Sequence, residues 1–211
     1  MSWSDIKSSI LGAAGELLEP HGYKLIKSRD SYEKLTPTGR LVIRLTLVAS
    51  DVGNYSVRIG CGVRNDAIED IFHRTSTVDK RCQSSTPTII IGGDERWRLN
   101  TAEEQAVAIA GLQKYIQEAA IPFLQKAYSL QDFSDLLNTT NTDGRCPYHG
   151  SIWRCHRGLI AAKLAGDPRF EELKRQYSGF LRVTSNGFYF PEFEKCLKNI
   201  DDPVSCGCSI H

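Results

Sequence analysis

The residues with the clearest potential for chemistry are four zinc-type ligands in the C-terminal third of the chain: Cys146, His149, Cys155 and His156. Thiolate and imidazole groups are preferred zinc donors, and a tetrahedral site needs four of them. Two features of the spacing oppose such a site. Cys155 and His156 are adjacent and would point in different directions on a helix, and the first pair has the form C-x-x-H instead of C-x-x-C. We therefore predict no metal and no cofactor here, and keep a small zinc-binding protein or enzyme as the alternative.

Three further residues with ligand or thiol chemistry end the chain: Cys206, Cys208 and His211. Their spacing suits a metal hook or a redox pair, and a cysteine so near the end also resembles a lipidation signal. Serine in the first aliphatic slot and a terminal histidine depart from that signal. Because chain ends are often poorly ordered, we predict a frayed tail.

Familiar catalytic motifs are missing from the sequence. It has no G-x-S-x-G elbow, no phosphate-binding G-x-x-x-x-G-K-[ST], no dinucleotide G-x-G-x-x-G and no H-E-x-x-H. The run Gly92–Glu95 (GGDE) resembles the start of the diguanylate cyclase signature, but Arg96 stands where that family has Phe. We therefore predict a plain turn at these glycines and a protein that is not an enzyme.

The most regular strand pattern in the chain spans residues 40–64. An apolar run from Leu41 to Val48 leads into turn residues 51–54, and apolar and polar residues then alternate from Tyr55 to Val63. Alternation beside a Gly/Asn/Asp turn predicts an antiparallel hairpin with one buried face. The odd-numbered positions would face the core, and the opposite face would carry four arginines: Arg40, Arg44, Arg58 and Arg64.

Arginines on neighbouring strands repel one another unless an anionic group lies across them, at a cost of a few tenths to about 1 kcal/mol per pair. In the tightest register that keeps the buried faces matched, Arg44 lies opposite Arg58, and in the next register the two are diagonal. Two arrangements would balance these charges. A helix of the same protein could supply carboxylates, approaching closely over Gly60 and Gly62, or the face could receive an acidic partner surface.

The patterns around the hairpin predict an α+β fold. An amphipathic helix capped by Ser4 is stopped by Pro20 and Gly22. A capping box at Thr101–Glu104 begins a long helix that Pro122 should kink or end. Together these elements predict an N-terminal helix, an antiparallel β-meander, a long helix packed on the sheet and a helical C-terminal subdomain. Four shorter segments are predicted as a helix at 66–73, a loop at 75–85, a strand at 88–91 and a helix capped by Ser129 at 130–137.

An Asn/Thr/Asp/Gly-rich stretch at 138–144 is the best linker in the chain. It predicts an α+β sheet domain over residues 1–138 and a small helical region over 145–211 packed on it. Within that region, Gly166, Asp167 and Pro168 predict two helices joined with almost no loop, because glycine suits a helix C-terminus and proline the first helical position. An aromatic-rich segment, 188–193, is predicted to dock onto the core.

Composition narrows the classes of function. The chain has 211 residues, a formal net charge of +1 and seven cysteines. Near-neutral charge makes a dedicated nucleic-acid binder unlikely, since such proteins are usually strongly basic. No apolar run approaches the roughly 18 residues that span a bilayer, and residues 1–19 lack the features of a secretory signal. We therefore expect a cytoplasmic protein with reduced cysteines and no membrane partner.

The layout, with the stretches 18–23 (LEPHGY) and 121–124 (IPFL), resembles uncharacterised bacterial α+β proteins of the toxin-immunity kind. The resemblance covers roughly the first two-thirds of the chain. Proteins of this kind often occur beside polymorphic or secretion-system toxins. The resemblance therefore implies a protein-binding module whose partner is a toxin domain, neutralised by occlusion of its active site. It carries no catalytic residues over to this chain.

Overall fold

The computed structural model describes residues 2–50, 53–139 and 152–201. The protein is an α+β fold, as the sequence predicts. The strands are β1 (Lys24–Ile26), β2 (Ser31–Thr36), β3 (Gly39–Ala49), β4 (Tyr55–Asn65) and β5 (Ile89–Arg98). The helices are α1 (Trp3–Leu18), α2 (Asp66–His73), α3 (Lys80–Gln83), α4 (Ala102–Tyr115), α5 (Ile121–Gln125), α6 (Leu130–Asn138), α7 (Arg154–Ala165), α8 (Phe170–Val183) and α9 (Phe190–Asp201).

The chain forms two compact units, and each is built from two separate segments. Unit 1 comprises residues 1–64 and 90–127, and unit 2 comprises residues 65–89 and 128–211. This division differs from the sequence-based boundary at the 138–144 linker. The chain leaves the sheet after β4, adds α2 and α3 to unit 2 and returns as β5. Because a segment inserted in this way needs no polar linker at its ends, the composition of the sequence does not indicate this boundary.

The five strands of the sheet are antiparallel and follow chain order from β1 to β5. In the meander, Tyr32 pairs with Ile43 and Glu33 pairs with Val42. Because side chains alternate along a strand, Tyr32 and Ile43 share one face and Glu33 and Val42 share the other. The Tyr32 hydroxyl donates to the Leu11 carbonyl at 2.7 Å, which places α1 on the first of these faces.

Helix α1 begins two residues earlier than the sequence predicts. Ser2 is its N-cap, and Asp5 completes a capping box, whereas Ser4 lies inside the helix. Either serine can accept a hydrogen bond from a free helical N–H, so the sequence alone does not choose between them. The predicted stop is confirmed, since Gly22 has a φ of 83° after the short turn that contains Pro20.

The long helix of unit 1 is capped and interrupted as predicted. The Thr101 side chain accepts from the Glu104 N–H at 3.2 Å, although the Glu104 carboxylate accepts from Asn100 and not from Thr101. Helix α4 ends at Tyr115, and a π-helical turn, Ile116–Ala120, follows it before Pro122 in the first turn of α5. Proline has no N–H and its ring crowds the preceding turn, so a wider turn relieves the clash.

Three predicted segments differ in the structure. The Gly92–Glu95 stretch is not a turn between two strands but lies inside β5, with φ values of 79° and 95° at its two glycines. The predicted loop at 75–85 contains the single-turn helix α3. The sequence after Pro168 predicts a helix over residues 169–177, whereas α8 begins at Phe170 and extends to Val183.

Unit 2 has an apolar core formed by helices α7, α8 and α9. The side chains that build it are Cys155, Leu159, Ala162, Leu173, Tyr177, Leu181 and Phe193. Phe193 is fully buried, so the predicted docking of the aromatic segment is confirmed at this position. Phe188 is 77% exposed and does not take part in the core.

The junction between α7 and α8 is as predicted at Gly166 but not at Pro168, which precedes the helix instead of opening it. Gly166 ends α7 in a left-handed conformation, with φ 67°. The Asp167 carboxylate accepts from the Arg169 N–H and side chain and from the Ser134 hydroxyl. These hydrogen bonds, above all that from the Arg169 guanidinium, hold the pKa of Asp167 far below its usual range. Helix α8 itself begins at Phe170.

Two helical glycines provide a matched test of packing in unit 1. A Cβ at Gly111 would lie 2.6 Å from Nε1 of Trp97, whereas a Cβ at Gly12 would meet nothing within 4 Å. We expect Gly111→Ala to lower the free energy of unfolding by about 1–3 kcal/mol through overpacking. Gly12→Ala should raise it by about 0.5–1 kcal/mol, because alanine favours the helix. Urea titration of both variants measures this, and equal stabilisation by both would contradict the close α4–β5 contact.

Candidate docking surface on the sheet

The sheet of unit 1 has one face covered by helices. Ile43, Leu45, Val57 and Ile59 are at most 1% exposed, as predicted for odd-numbered positions of the hairpin. Tyr55 stacks on Trp3 of α1, with the ring centroids 4.8 Å apart. On β5, Trp97 lies against Gly111 of α4. The neighbours of these residues along each strand must therefore point to the opposite face.

Two of the four predicted arginines lie exposed on that opposite face. Arg44 of β3 and Arg58 of β4 both have exposed side chains. Neither strand contains an aspartate or a glutamate. Any carboxylate that balances either guanidinium must therefore come from another element of the fold.

Arg40 is held by a carboxylate of its own sheet. Its Nη1 donates to Oε2 of Glu33 at 3.0 Å, and Arg29 lies 3.4 Å from the other oxygen of the same carboxylate. The register explains the contact, because Glu33 of β2 pairs with Val42, two residues along β3 from Arg40. The protein therefore supplies a carboxylate to Arg40 itself, but from strand β2 and not from the predicted helix. This residue does not offer a free cation to a partner.

The structure corrects the prediction for Arg64, which is buried and not exposed. Only 5% of it is exposed. It lies one residue before Asn65, which accepts from the Ile68 N–H and caps α2, and both Val63 and Asn65 are buried as well. Period-two alternation assigns a face correctly here, but it does not show that this end of β4 is buried on both sides.

Two arginines of β5 belong to the same face and were missed by the sequence analysis. Nε of Arg96 donates to the Ser56 hydroxyl at 2.9 Å, and Ser56 is two residues along β4 from Arg58. Arg98 is exposed and lies on the same side as Arg96, since Trp97 between them points to α4. The alternation Arg-Trp-Arg was a usable signal. The predicted turn at the preceding glycines gives no reason to place these arginines beside the hairpin.

We call these four exposed residues, Arg44, Arg58, Arg96 and Arg98, the arginine face. In the three strands that carry them, the acidic residues are Asp94 and Glu95 of β5. Glu95 alternates with Arg96 and lies on the α4 side, where its charge contributes to raising the pKa of Tyr115 after the larger effect of burial. Asp94 is therefore the one carboxylate that β3, β4 and β5 place on this face, and Glu33 of the neighbouring strand β2 lies on it as well, diagonal to Arg44. Such a surface favours carboxylate ligands, which guanidinium binds through two parallel hydrogen bonds.

The alternative zinc ligands fall into two groups. Cys146 and His149 lie outside the described residues, and so does the cysteine-rich tail at 206–211. Cys155 and His156 lie on α7 and are fully buried. The His156 ring packs edge-on against Phe72 and Phe193, with centroid distances of 5.8 and 5.2 Å.

Among residues 2–50, 53–139 and 152–201, no three His, Cys, Asp or Glu side chains are arranged to hold a metal ion. The His156 ring is part of the core of unit 2. The zinc alternative therefore stays a prediction that depends on residues outside this part of the chain.

Unit 2 also contains a buried ion pair that the sequence analysis did not find. The Arg157 guanidinium binds Glu69 through two hydrogen bonds, Nε to Oε1 at 2.7 Å and Nη2 to Oε2 at 3.0 Å. Nε2 of His73 lies 3.2 Å from the same carboxylate. Burial opposes ionisation of Glu69, but Arg157 and His73 outweigh it and hold the pKa of Glu69 below its ordinary value.

This cluster is structural in character. The Glu69 and Arg157 side chains are 0% and 1% exposed, and the guanidinium lies 3.9 Å from the centroid of the Phe72 ring. The ion pair is therefore not accessible to a substrate in solution. The two partners are 88 residues apart in the chain, so no local motif could have indicated their contact.

No protein-family model, no curated protein and no solved structure matches the chain. In the part of the chain that the structure describes, no helix has both the length and the apolar character needed to cross a membrane.

Proposed function

We propose that this protein is a protein-binding module that receives an acidic surface of a partner on its arginine face. We assign it to the bacterial immunity proteins, which neutralise a cognate secreted toxin by occluding the toxin's active site. The observation that carries the proposal is the clustering of exposed guanidinium groups on β3, β4 and β5, three strands that contribute one carboxylate, Asp94, to this face. Like charges so close together are destabilising until an anionic surface covers them.

The composition of the face favours a protein partner over a nucleic acid. Proteins that bind single-stranded nucleic acid place aromatic side chains among their basic residues, so that bases can stack. The aromatic residues of β3, β4 and β5 are Tyr55 and Trp97, and both lie on the helix-covered side of the sheet. The cations are also all arginines, which suits bidentate recognition of carboxylates. The overall net charge of +1 is low for a nucleic-acid binder.

Charge reversal on the face is the direct test. We expect the double variant Arg58→Glu, Arg96→Glu to lose a partner protein that the wild type captures from its native host. Removing two charge pairs and adding repulsion should cost about 3 kcal/mol or more, which is roughly a 100-fold loss of affinity. Capture of the tagged chain after nuclease treatment, followed by titration of the captured protein, measures this.

The matched control is Lys114→Glu, Arg175→Glu, which makes the same change of net charge at two exposed helical positions. It should capture the partner as the wild type does. The proposal is overturned if both double variants behave alike, if the captured ligand is destroyed by nuclease, or if the wild type captures no protein.

A further inference from the structure

Strand β5 forms an open edge of the sheet. It follows β4 in the strand order, and within the described residues no other strand pairs with it. The opposite edge, β1, is only three residues long. Gly92 and Gly93, both at positive φ, disturb the middle of β5, so its regular exposed edge runs from Asp94 to Arg98.

The backbone groups that face outward on this edge follow from one hydrogen bond. The Leu99 N–H donates to the Tyr55 carbonyl at 2.9 Å, toward β4. In an antiparallel pair, alternate residues direct both backbone groups to the same neighbour. Trp97 and Glu95 therefore face β4, and the N–H and C=O groups of Asp94, Arg96 and Arg98 point away from the sheet.

The same residues that present their backbone at the edge also carry arginine side chains on the arginine face. A strand added along Asp94–Arg98 would hydrogen-bond to the backbone of Arg96 and Arg98 and place every second side chain beside their guanidinium groups. Charge complementarity therefore specifies what those side chains must be. Aspartate or glutamate at alternate positions would pair with the arginines, and lysine there would be repelled.

We propose that the partner contributes an extended acidic segment that adds to the sheet as a sixth strand along Asp94–Arg98. This inference rests on the proposed function and states the mode of recognition. The positive φ angles of Gly92 and Gly93 limit the added strand to this short stretch. Charged side chains on an edge strand protect it from pairing with strands that do not complement their charge. Because the arginines make this edge positively charged, a strand with acidic side chains is the kind that can pair with it favourably.

The test uses the full chain and a synthetic probe, a short fluorescent peptide that alternates threonine and glutamate. We expect saturable binding by fluorescence anisotropy. A peptide of the same sequence, N-methylated at alternate residues so that it cannot donate to the edge, should bind about tenfold more weakly. Equal binding of the two peptides, or no binding of the unmodified one, overturns the inference.

A pair of variants tests the edge from the protein's side. Arg96→Ala and Arg96→Pro both remove the guanidinium, but only proline removes the outward N–H, and an edge strand tolerates proline at such a position. We expect Arg96→Pro to bind the unmodified peptide about tenfold more weakly than Arg96→Ala. Equal affinity overturns strand addition, and thermal unfolding of both variants shows that each is folded. If Arg96→Pro does not fold, the N-methylated peptide on the wild type decides.

Failure of this inference can be told apart from failure of the proposed function. If Arg58→Glu, Arg96→Glu loses the natural partner while Arg96→Pro and Arg96→Ala capture it equally, the arginine face binds the partner without strand addition. If the charge reversal has no effect on capture, the proposed function fails together with the inference.

Discussion

Replacing Glu69 by glutamine should lower the free energy of unfolding by about 3–5 kcal/mol, the usual cost of leaving one charge of a buried ion pair without its partner. The Arg157 guanidinium would remain 1% exposed, and glutamine offers it one neutral acceptor in place of two charged oxygens. A loss of this size is a large share of the stability of an ordinary domain.

Urea titration at neutral pH measures the change, with two controls. Asp70→Asn alters an exposed acid on the same helix and should cost no more than about 1 kcal/mol. The double variant Glu69→Gln, Arg157→Met removes the second charge as well and should recover part of the loss. A cost below about 1 kcal/mol for Glu69→Gln, or a double variant less stable than Glu69→Gln alone, would show that the pair does not act as this geometry indicates.

Features fixed by neighbouring residues were predictable from the sequence. The alternation of the hairpin gave the correct faces, and Ile43, Leu45, Val57 and Ile59 are all buried. The helix α2 was predicted with its observed bounds, and Ser129 caps α6 as expected. Such signals are local, because a cap or a pleat depends on residues within a few positions of one another.

Features that depend on distant parts of the chain were not predictable in the same way. Alternation places Arg40 and Arg64 on one face with Arg44 and Arg58, but Glu33 on another strand pairs with Arg40, and Arg64 is buried. The arginine face gained Arg96 and Arg98 only when the sheet order placed β5 beside β4. Half of the predicted docking residues were therefore exposed as expected, and the other half depended on tertiary contacts.

Acid should destabilise this protein through His156 at pH values where most carboxylates are still ionised. The ring is fully buried, and neither of its nitrogens has a hydrogen-bond partner within the described residues. Burial, followed by the neighbouring charge of Arg157, lowers the pKa of His156 to about 4. An unfolded histidine has a pKa of about 6.5. The unfolded chain therefore binds a proton more readily than the folded protein.

The sign follows from linkage between protonation and folding. The neutral ring contributes its full stability above pH 6.5, and that contribution is lost as the pH falls from 6.5 towards 4. A difference of this size is worth about 3 kcal/mol. The pKa of Glu69, which faces the same cluster from α2, is held below its ordinary value, so the loss of its stabilising effect begins at lower pH. A variant that changes only His156 keeps the other titratable groups of the packed helices, which are His73, Glu192 and Cys196.

The variant His156→Leu isolates this contribution, because leucine fills an apolar site between Phe72 and Phe193 and cannot be protonated. Between pH 7 and pH 4.5 the wild type should lose about 2–3 kcal/mol more stability than His156→Leu, measured by urea titration at each pH. His21→Gln, a change at an exposed histidine, should leave the wild-type pH profile unaltered. Parallel profiles for the wild type and His156→Leu would contradict this prediction. They would mean that the His156 ring binds a proton equally well in the folded and the unfolded protein, which its apolar surroundings oppose.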